Sequence, residues 1–193
     1  MGGVYFDASG QGYVWRHPFD QATQDQLITA DRPQGTLTNS DLEQAGVLGQ
    51  LGTIAEHLPV AYATIHTCCD NTPAVARFTR GAVTSDRAPA YLCRLASHHQ
   101  RAHRYCATVS YLPGDLNRMA DDASRLQSLT DPAFLAHFDS TYPQGKNWQL
   151  RFLPKQLCSD LYSALACKSH PQRTPPKLEP PSRAYSPAGR YSA

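Results

Sequence analysis

The most constraining feature of this chain is a largely apolar run, VAYATIHTCC, which covers residues 60–69 and ends at Asp70. It has the length of a strand and contains no Gly or Pro. Near-continuous apolar runs of this length are typical of strands that are buried on both faces. The run therefore predicts an interior strand of a mixed sheet, with helices packed on the faces of that sheet.

Further elements are predicted on both sides of this run. β-branched and aromatic residues around Gly10 and Gly12 predict two strands joined by a tight turn. A short strand is possible at 26–29, and another is predicted at 105–112. Helical spacing of apolar residues covers 40–57, 72–79, 88–103 and 116–126. The resulting order, β-β-(β)-α-β-α-α-β-α, predicts an α/β fold with a mixed five-stranded sheet and flanking helices.

The first of these helices has a marked beginning. Asn39 and Ser40 are N-cap candidates, and Ser40 and Glu43 have the spacing of a capping box. Pro59 lies just beyond the predicted end of the helix, where a helix stop is expected. Glu43 could therefore have a purely structural role at the helix start.

The chain divides into three predicted segments. Residues 1–126 are expected to form the folded core, and residues 127–168 an appended helical or irregular segment. Six of the residues in 169–193 are Pro, and large aliphatic side chains are nearly absent there. That composition predicts a disordered tail.

Several classes of protein are excluded by simple counts. No apolar run of 18 residues is present, so no transmembrane helix and no membrane partner are expected. The first ten residues lack the basic and apolar regions of a secretory signal. The six Cys form no CxxC pair, so free thiols and an intracellular location, cytoplasmic or nuclear, are expected.

The net charge of +2 conceals an asymmetry along the chain. Residues 1–57 contain 2 Lys or Arg against 7 Asp or Glu, whereas residues 58–126 contain 8 against 5 and residues 127–193 contain 8 against 4. An acidic first third followed by a basic remainder suits a cation-binding site beside a surface that accepts phosphates.

Four carboxylates fall at the ends or in the interior of predicted core elements. Asp7 lies in the first strand, Glu43 in the first helical turn, Asp70 at the end of the apolar run, and Asp121 beside Asp122 on the last helix. Carboxylates rarely enter cores unpaired, and their mutual repulsion would cost several kcal/mol without a neutralising cation. Such oxygen ligands favour Mg²⁺ or Mn²⁺, and two ions about 3.5–4 Å apart suit phosphoryl transfer.

Each of these acids also has an ordinary explanation. Asp7 could be a polar residue on an edge strand, and Asp121 a solvated helical acid. Asp70 could cap the next helix, although Thr72 and Pro73 match an N-cap followed by Pro at the first helical position better. The joint pattern, rather than any single residue, indicates a site.

The motifs that contain these acids resemble the ribonuclease H domain of retroelement polyproteins, most closely the type found in tyrosine-recombinase (DIRS-like) retrotransposons. The family pattern reads D-A/S-x-x-G-x-G, N-x-E-L or similar, D-N-x-x-A-V and P-G-x-x-N-x-x-A-D-x-x-S-R. The matching segments here are DASGQG at 7–12, NSDLE at 39–43, DNTPAV at 70–75 and PGDLNRMADDASR at 113–125. The resemblance covers roughly residues 4–126, and its last block is the most specific.

The resemblance implies a ribonuclease H-like fold and a metal-dependent endonuclease that hydrolyses the RNA strand of RNA/DNA hybrids. It implies that Asp7 bridges two Mg²⁺ or Mn²⁺ ions, that Glu43 and Asp70 hold one of them, and that Asp121 completes the other. Alignment on Asn117 favours Asp121 over Asp122. It also implies a reverse transcriptase domain of the parent polyprotein as a partner.

Two departures from the wider family leave a second possibility open. Cellular ribonucleases H carry a mobile His before the last Asp, and residues 110–116 contain none. The chain also begins at the first predicted strand, as expected of a fragment or remnant of a polyprotein. The alternative is a catalytically inactive ribonuclease H-like module that binds nucleic acid or a partner.

Basic residues supply the remaining candidates. Arg94, Arg101 and Arg104 lie on or just after one predicted helix, and together with Asn71 they are candidate contacts to nucleic acid phosphates. A solvated basic face would look the same. A zinc site is a further alternative, because His99 and His103 lie four residues apart on that helix, with Cys93 and Cys106 close in sequence.

Overall fold

The computed structural model of this chain describes residues 1–84 and 86–168. Its elements alternate between strands and helices, which confirms the expected α/β class. In chain order they are β1 (Gly2–Phe6), β2 (Gly12–Arg16), α1 (Gln21–Asp25), α2 (Asn39–His57), β3 (Thr64–Cys69), α3 (Thr72–Arg80), α4 (Ala88–His103), β4 (Cys106–Tyr111), a 3₁₀ turn (Gly114–Leu116), α5 (Arg118–Arg125), α6 (Asp131–Thr141), β5 (Gln149–Arg151) and α7 (Lys155–Leu165). The proline-rich segment 169–193, for which disorder is predicted, lies outside the described residues.

The strands form two sheets. β1 pairs with β2 in antiparallel fashion, from Gly2 opposite Arg16 to Phe6 opposite Gly12, and β2 pairs with β5 in parallel. β3 and β4 form a separate parallel pair. The described part of the chain therefore does not form the expected single five-stranded sheet. Its five strands form a three-stranded sheet and a two-stranded ribbon.

The possible strand at 26–29 does not join either sheet. The backbone of Ile28 donates to the carbonyl of Leu37, and that of Leu37 donates back to Gln26, so the segment folds onto its own neighbours. The position beside β2 is taken instead by β5. The prediction of a strand at 26–29 was wrong because local turn hydrogen bonds satisfy its backbone groups.

Helix α2 begins where the sequence predicts, but its capping residues differ from the expected Ser40 and Glu43. The carboxylate of Asp41 accepts hydrogen bonds from the backbone N–H and the hydroxyl of Thr38, at 2.7 and 2.9 Å. Asp41 is buried and also forms a 2.8 Å ion pair with Arg77 of α3. Since Asp41 satisfies the N-cap backbone group, Glu43 is not needed for this purpose.

Strand β3 is not buried on both faces as its apolar run predicts. Ile65, Thr67 and Cys69 are buried, whereas Thr64, His66 and Cys68 are exposed. The expectation was wrong because the alternating polar residues, Thr64 and His66, lie on one face that no described helix covers. The ribbon has one buried and one open face.

The core consists of two clusters on opposite sides of the first sheet. The larger cluster centres on α2 and includes Trp15, Leu48 and Leu92. The smaller one includes Val14 and Ala123 together with residues from beyond position 126, namely Phe134, Phe138 and Trp148. The segment set apart by the sequence analysis, 127–168, thus contributes strand β5 and part of this smaller core. No helix in the described ranges is long and apolar enough to cross a membrane.

Candidate acidic site between the two sheets

The open edges of the two sheets face a common cavity. The backbone bonds between Met1 and His17, and from Asp7 to Gln11, show that the odd residues of β1 bond to β2. Alternation along the strand therefore directs the backbone groups of Gly2, Val4 and Phe6 away from β2. In the same way, the N–H of Cys106 donates to the carbonyl of Ala63, so the odd residues of β3 bond to β4. The backbone groups of Thr64, His66 and Cys68 therefore point away from β4.

This cavity has a volume of about 810 Å³ and is lined by β1, β3, α2 and α5. Its lining includes the apolar side chains of Val47, Ile54 and Ile65. Gln50 of α2 also lines it, donating to the carbonyl of Val4 at 2.8 Å and accepting from the indole of Trp15. Gln50 thus satisfies one acceptor on the open edge of β1, a role that the sequence analysis did not anticipate.

Three of the four predicted carboxylates line this cavity. Glu43 comes from the second turn of α2, Asp70 directly follows β3, and Asp121 comes from the first turn of α5. The Pro113–Gly114 turn passes beside Asp70, whose Oδ2 lies 3.6 Å from the position that a β-carbon of Gly114 would occupy. Three separate elements therefore direct acidic side chains into one space.

The charges around Glu43 act in both directions, since the Met1 ammonium that also lines the cavity lowers its pKa. Burial raises the pKa of Glu43 above its ordinary value, and the negative charges of Asp70 and Asp121 raise it further. Two causes of this shift are the neighbouring carboxylates, so the three acids interact through the cavity. A bound cation would remove this repulsion.

Cys69 belongs to the same cluster. Single ligand atoms of Glu43, Cys69 and Asp70 all lie within 4.8 Å of one another. Burial, together with the charges of Glu43 and Asp70, raises the pKa of the Cys69 thiol to about 11. The sequence analysis treated Cys69 as a buried strand residue; its alternation with exposed Cys68, directly before Asp70, is the signal that could have placed it here.

Asp121 and Asp122 have different surroundings. Asp121 lines the cavity and forms a 2.7 Å ion pair with Arg125, one turn later on α5. Asp122 instead accepts hydrogen bonds from Tyr142 at 2.8 Å and from His137 at 3.2 Å. Asp121 is therefore the acid that this structure directs toward Glu43 and Asp70. Arg125, as its ionic partner, is a residue that the sequence analysis missed.

Asp7 is the predicted site residue that the structure does not bring into the cavity lining. It follows β1, and its carboxylate accepts bonds from the backbone N–H groups of Ser9 and Gln11 at 2.9 and 3.0 Å. The hydroxyls of Ser9 and Tyr13 also donate to it, at 2.7 and 3.0 Å. These hydrogen bonds lower the pKa of Asp7 to about 2, and the bond from the Ser9 hydroxyl makes the largest contribution. The tight turn depends on Gly10, whose φ is +77°.

The donor set of the cavity fits a divalent cation. Glu43, Asp70 and Asp121 offer carboxylate oxygens, the ligands that Mg²⁺ and Mn²⁺ take. Cys69 adds a soft sulfur within reach of Glu43 and Asp70. Glu43, Cys69 and Asp70 are therefore the residues whose ligand atoms lie close enough to share one metal ion. Asp121 lines the same cavity outside this group.

The four predicted contacts to nucleic acid lie in three places. Asn71 caps α3, its side-chain oxygen accepting from the backbone of Ala74 at 3.0 Å. Arg94 and Arg101 are exposed and line one groove on α4. Arg104 lies at the end of α4 in a left-handed conformation and donates to the Tyr62 hydroxyl at 3.1 Å.

The residues considered for zinc do not form a ligand group. His99 stacks on His103 with ring centroids 4.3 Å apart and contacts the Tyr105 hydroxyl at 2.9 Å. Cys93 instead accepts from the Gln44 side chain at 3.3 Å. Within residues 1–84 and 86–168, the one group of three or more metal-ligating side chains is Glu43, Cys69 and Asp70.

No match to this chain is found among protein-family models, curated proteins or solved structures.

Proposed function

We propose that this protein is a metal-dependent endonuclease of the ribonuclease H type, which hydrolyses the RNA strand of RNA/DNA hybrids. The observation that carries the proposal is the convergence of Glu43, Asp70 and Asp121 from three elements on one cavity. The motif resemblance supplies the reaction class. Burial, followed by the charges of Asp70 and Asp121, raises the pKa of Glu43, and a bound cation would favour its ionised form.

In this proposal the carboxylates of Glu43 and Asp70 would hold one Mg²⁺ or Mn²⁺ ion, Asp121 would hold a second, and Asp7 would contribute to both. Such ions lower the pKa of a bound water and neutralise charge on a phosphodiester. Glu43 is partly buried beside the apolar wall formed by Val47 and its neighbours. Arg125 holds the Asp121 carboxylate in place through their ion pair.

The proposed function also requires that β1 pair with β3 and that Asp7 come close to Asp70. Pairing of β1 with β3 along their open edges would give the strand order β5-β2-β1-β3-β4, a mixed five-stranded sheet. Asp7 and Asp70 each directly follow one of these two strands, so pairing would bring the two acids side by side. Amide hydrogen exchange tests this step, because pairing protects the amides of Val4 and His66 and an open cavity leaves them exchanging rapidly.

The activity is tested with an RNA/DNA hybrid labelled on the RNA strand. We expect cleavage that requires Mg²⁺ or Mn²⁺ and a loss of at least about 100-fold in Asp70→Asn, since the amide keeps the size of the side chain but loses its charge. Asp115→Asn is the matched control, an exposed acid in the adjacent turn. Equal cleavage rates in wild type and Asp70→Asn would show that Asp70 is not part of the catalytic site.

A second candidate function is a catalytically inactive ribonuclease H-like module that binds nucleic acid or a partner domain. Two specific observations favour it. The carboxylate of Asp7 is fully engaged by Ser9, Gln11 and Tyr13, and that of Asp121 is paired with Arg125. Binding of the hybrid with no cleavage by the wild-type protein in either metal would favour this function.

The proposed substrate also suggests a setting. RNA paired with DNA arises where reverse transcription occurs, which places the protein in the cytoplasm or nucleus. The reverse transcriptase domain of a parent polyprotein is the partner that this substrate and the motif resemblance suggest.

A further inference from the structure

A second concave surface lies on the opposite end of α3 from the acidic cavity. It is a groove of about 460 Å³ between the end of α3 and one face of α4. Its positively charged lining consists of Arg94 and Arg101, with the imidazole of His98 between them on the helix. Among the residues that the structure describes, no acidic side chain lines it. The groove is therefore a positively charged surface.

The basic residues share one face of α4. Positions 94, 98 and 101 have the i, i+4, i+7 spacing of a helical face, and all three side chains are exposed. A rise of about 1.5 Å per residue separates Arg94 from Arg101 by about 10 Å along the helix. Successive phosphates of one strand advance about 3.4 Å along a duplex axis, so this separation corresponds to about three nucleotide steps.

The opposite wall of the groove permits close approach. It is formed by residues 81–83, which are Gly, Ala and Val, and Gly81 ends α3 with a φ of +62°. Small side chains leave room for a bulky ligand beside the guanidinium groups. Arg guanidinium is the side chain that matches phosphate oxygens in bidentate fashion.

Helix α3 connects the groove to the acidic cavity. Its first residue, Thr72, comes two positions after Asp70, and its last residue directly precedes Gly81. Its nine residues span about 13 Å, which corresponds to about four nucleotide steps. The acidic cavity and the groove therefore lie near opposite ends of the same helix.

We propose that this groove binds the sugar-phosphate backbone of the nucleic acid duplex whose scissile phosphate enters the acidic cavity. The inference rests on the proposed function and names the surface that binds its substrate. It assigns Arg94 and Arg101, which line the groove, to this surface and places Arg104, which does not line it, outside.

The test measures binding separately from cleavage. The full chain carrying Asp70→Asn is titrated into a fluorescently labelled RNA/DNA hybrid without divalent ions, and anisotropy is followed over a range of salt concentrations. Adding Arg94→Gln and Arg101→Gln should weaken binding at least 10-fold and reduce the slope of log K against log salt by about 2, one unit per lost phosphate contact. Thermal unfolding checks that each variant is folded.

Arg104→Gln is the control for either single substitution, since it removes one positive charge from the end of the same helix, and it should change affinity less than twofold. Unchanged binding in the double variant, or an equal loss in Arg104→Gln, would overturn the assignment of the groove. Equal affinity for polyglutamate of matched charge would show a general acidic-polymer site and would also overturn it. If the wild-type protein cleaves no hybrid but its binding still depends on Arg94 and Arg101, only the proposed nuclease function is contradicted.

Discussion

The two sheets of this molecule differ in how completely they are covered. In the β1-β2-β5 sheet, Val14 packs against the α5–α6 cluster and Trp15 against α2, and both are fully buried. In the β3-β4 ribbon only one face is packed, by Ile65 and its alternate neighbours, while His66 remains exposed. We call the β1-β2-β5 sheet, which is packed on both of its faces, the closed frame. The β3-β4 ribbon is attached to it mainly through α2.

This difference explains where the acidic residues lie. Glu43, Asp70 and Asp121 border the junction between the frame and the ribbon, where strand edges are open and water can enter. Mutually repelling carboxylates inside the closed frame would reduce stability, whereas at the junction a cation can reach them. Four changes test the contrast between the two regions.

The largest effect is expected in the closed frame. Trp15→Ala should lower the free energy of unfolding by about 3–5 kcal/mol, because a fully buried indole and its hydrogen bond to Gln50 are lost. Urea unfolding monitored by far-ultraviolet circular dichroism measures this change. A loss below about 1.5 kcal/mol would show that the frame is not closed around Trp15.

The packed face of the ribbon should be less sensitive. Ile65→Ala removes a side chain that is 8% exposed on a ribbon covered on one face, so a loss of about 2 kcal/mol is expected. The same urea experiment measures it, with Ile65→Val as the conservative comparison at about 1 kcal/mol. A loss as large as that of Trp15→Ala would make the ribbon an equal part of the frame.

A pH dependence is expected at α4, which packs on α2 and α7. Burial, together with the charge of His103, lowers the pKa of His99 to about 4. As the pH falls below about 6.5, the unfolded chain binds a proton at His99 and the folded protein does not. The free energy of unfolding is therefore highest above pH 6.5 and decreases as the pH falls toward 4. Urea unfolding at pH 5 should show about 1–2 kcal/mol less stability from this source than at pH 7.5.

The His99→Gln variant provides the control for this pH effect. It lacks the titrating group, so the difference in its unfolding free energy between pH 5 and pH 7.5 should be smaller than that of wild type. If the two proteins show the same dependence on pH, His99 is not buried as the structure has it.

The smallest effect is expected on the open face of the ribbon. His66 contacts the hydroxyls of Thr108 and Ser110 at 3.0 and 3.1 Å, but all of these bonds are near solvent. His66→Ala should therefore change the free energy of unfolding by less than about 0.5 kcal/mol. A loss above about 1.5 kcal/mol would indicate that this face is covered in solution.

Much of the fold follows from local signals in the sequence. Pro73 and Gly81 mark the two ends of α3, and the structure places that helix at Thr72–Arg80. The strand pair around Gly10 and Gly12 and the long helix at Ala88–His103 also follow from turn chemistry and periodicity. These features depend on residues close to one another in the sequence, which is why they could be predicted.

The features that could not be predicted depend on distant residues. The strand beside β2 comes from Gln149–Arg151 because packing of Phe138 and Trp148 brings it there, and no local signal distinguishes it from 26–29. Similarly, the choice of Asp41 over Glu43 in capping depends on the ion pair with Arg77.

Of the candidate site, the sequence predicted all three cavity acids but not their surroundings. Glu43, Asp70 and Asp121 were identified from their positions in elements and from motif resemblance. Cys69 and Arg125 were missed because their roles depend on the packing of β3 and on a turn of α5. The position of Asp7 depends on a turn whose hydrogen bonds the spacing alone does not determine.

The central claim, that Glu43, Asp70 and Asp121 form a divalent-cation site, is tested most directly by Mn²⁺ binding. Electron paramagnetic resonance of free Mn²⁺ gives the number of bound ions and their affinity in wild type, Asp70→Asn and the control Asp115→Asn. We expect saturable binding in wild type and Asp115→Asn, with a loss of at least about 10-fold in affinity for Asp70→Asn. Equal binding by all three proteins, or none by wild type, would contradict the claim.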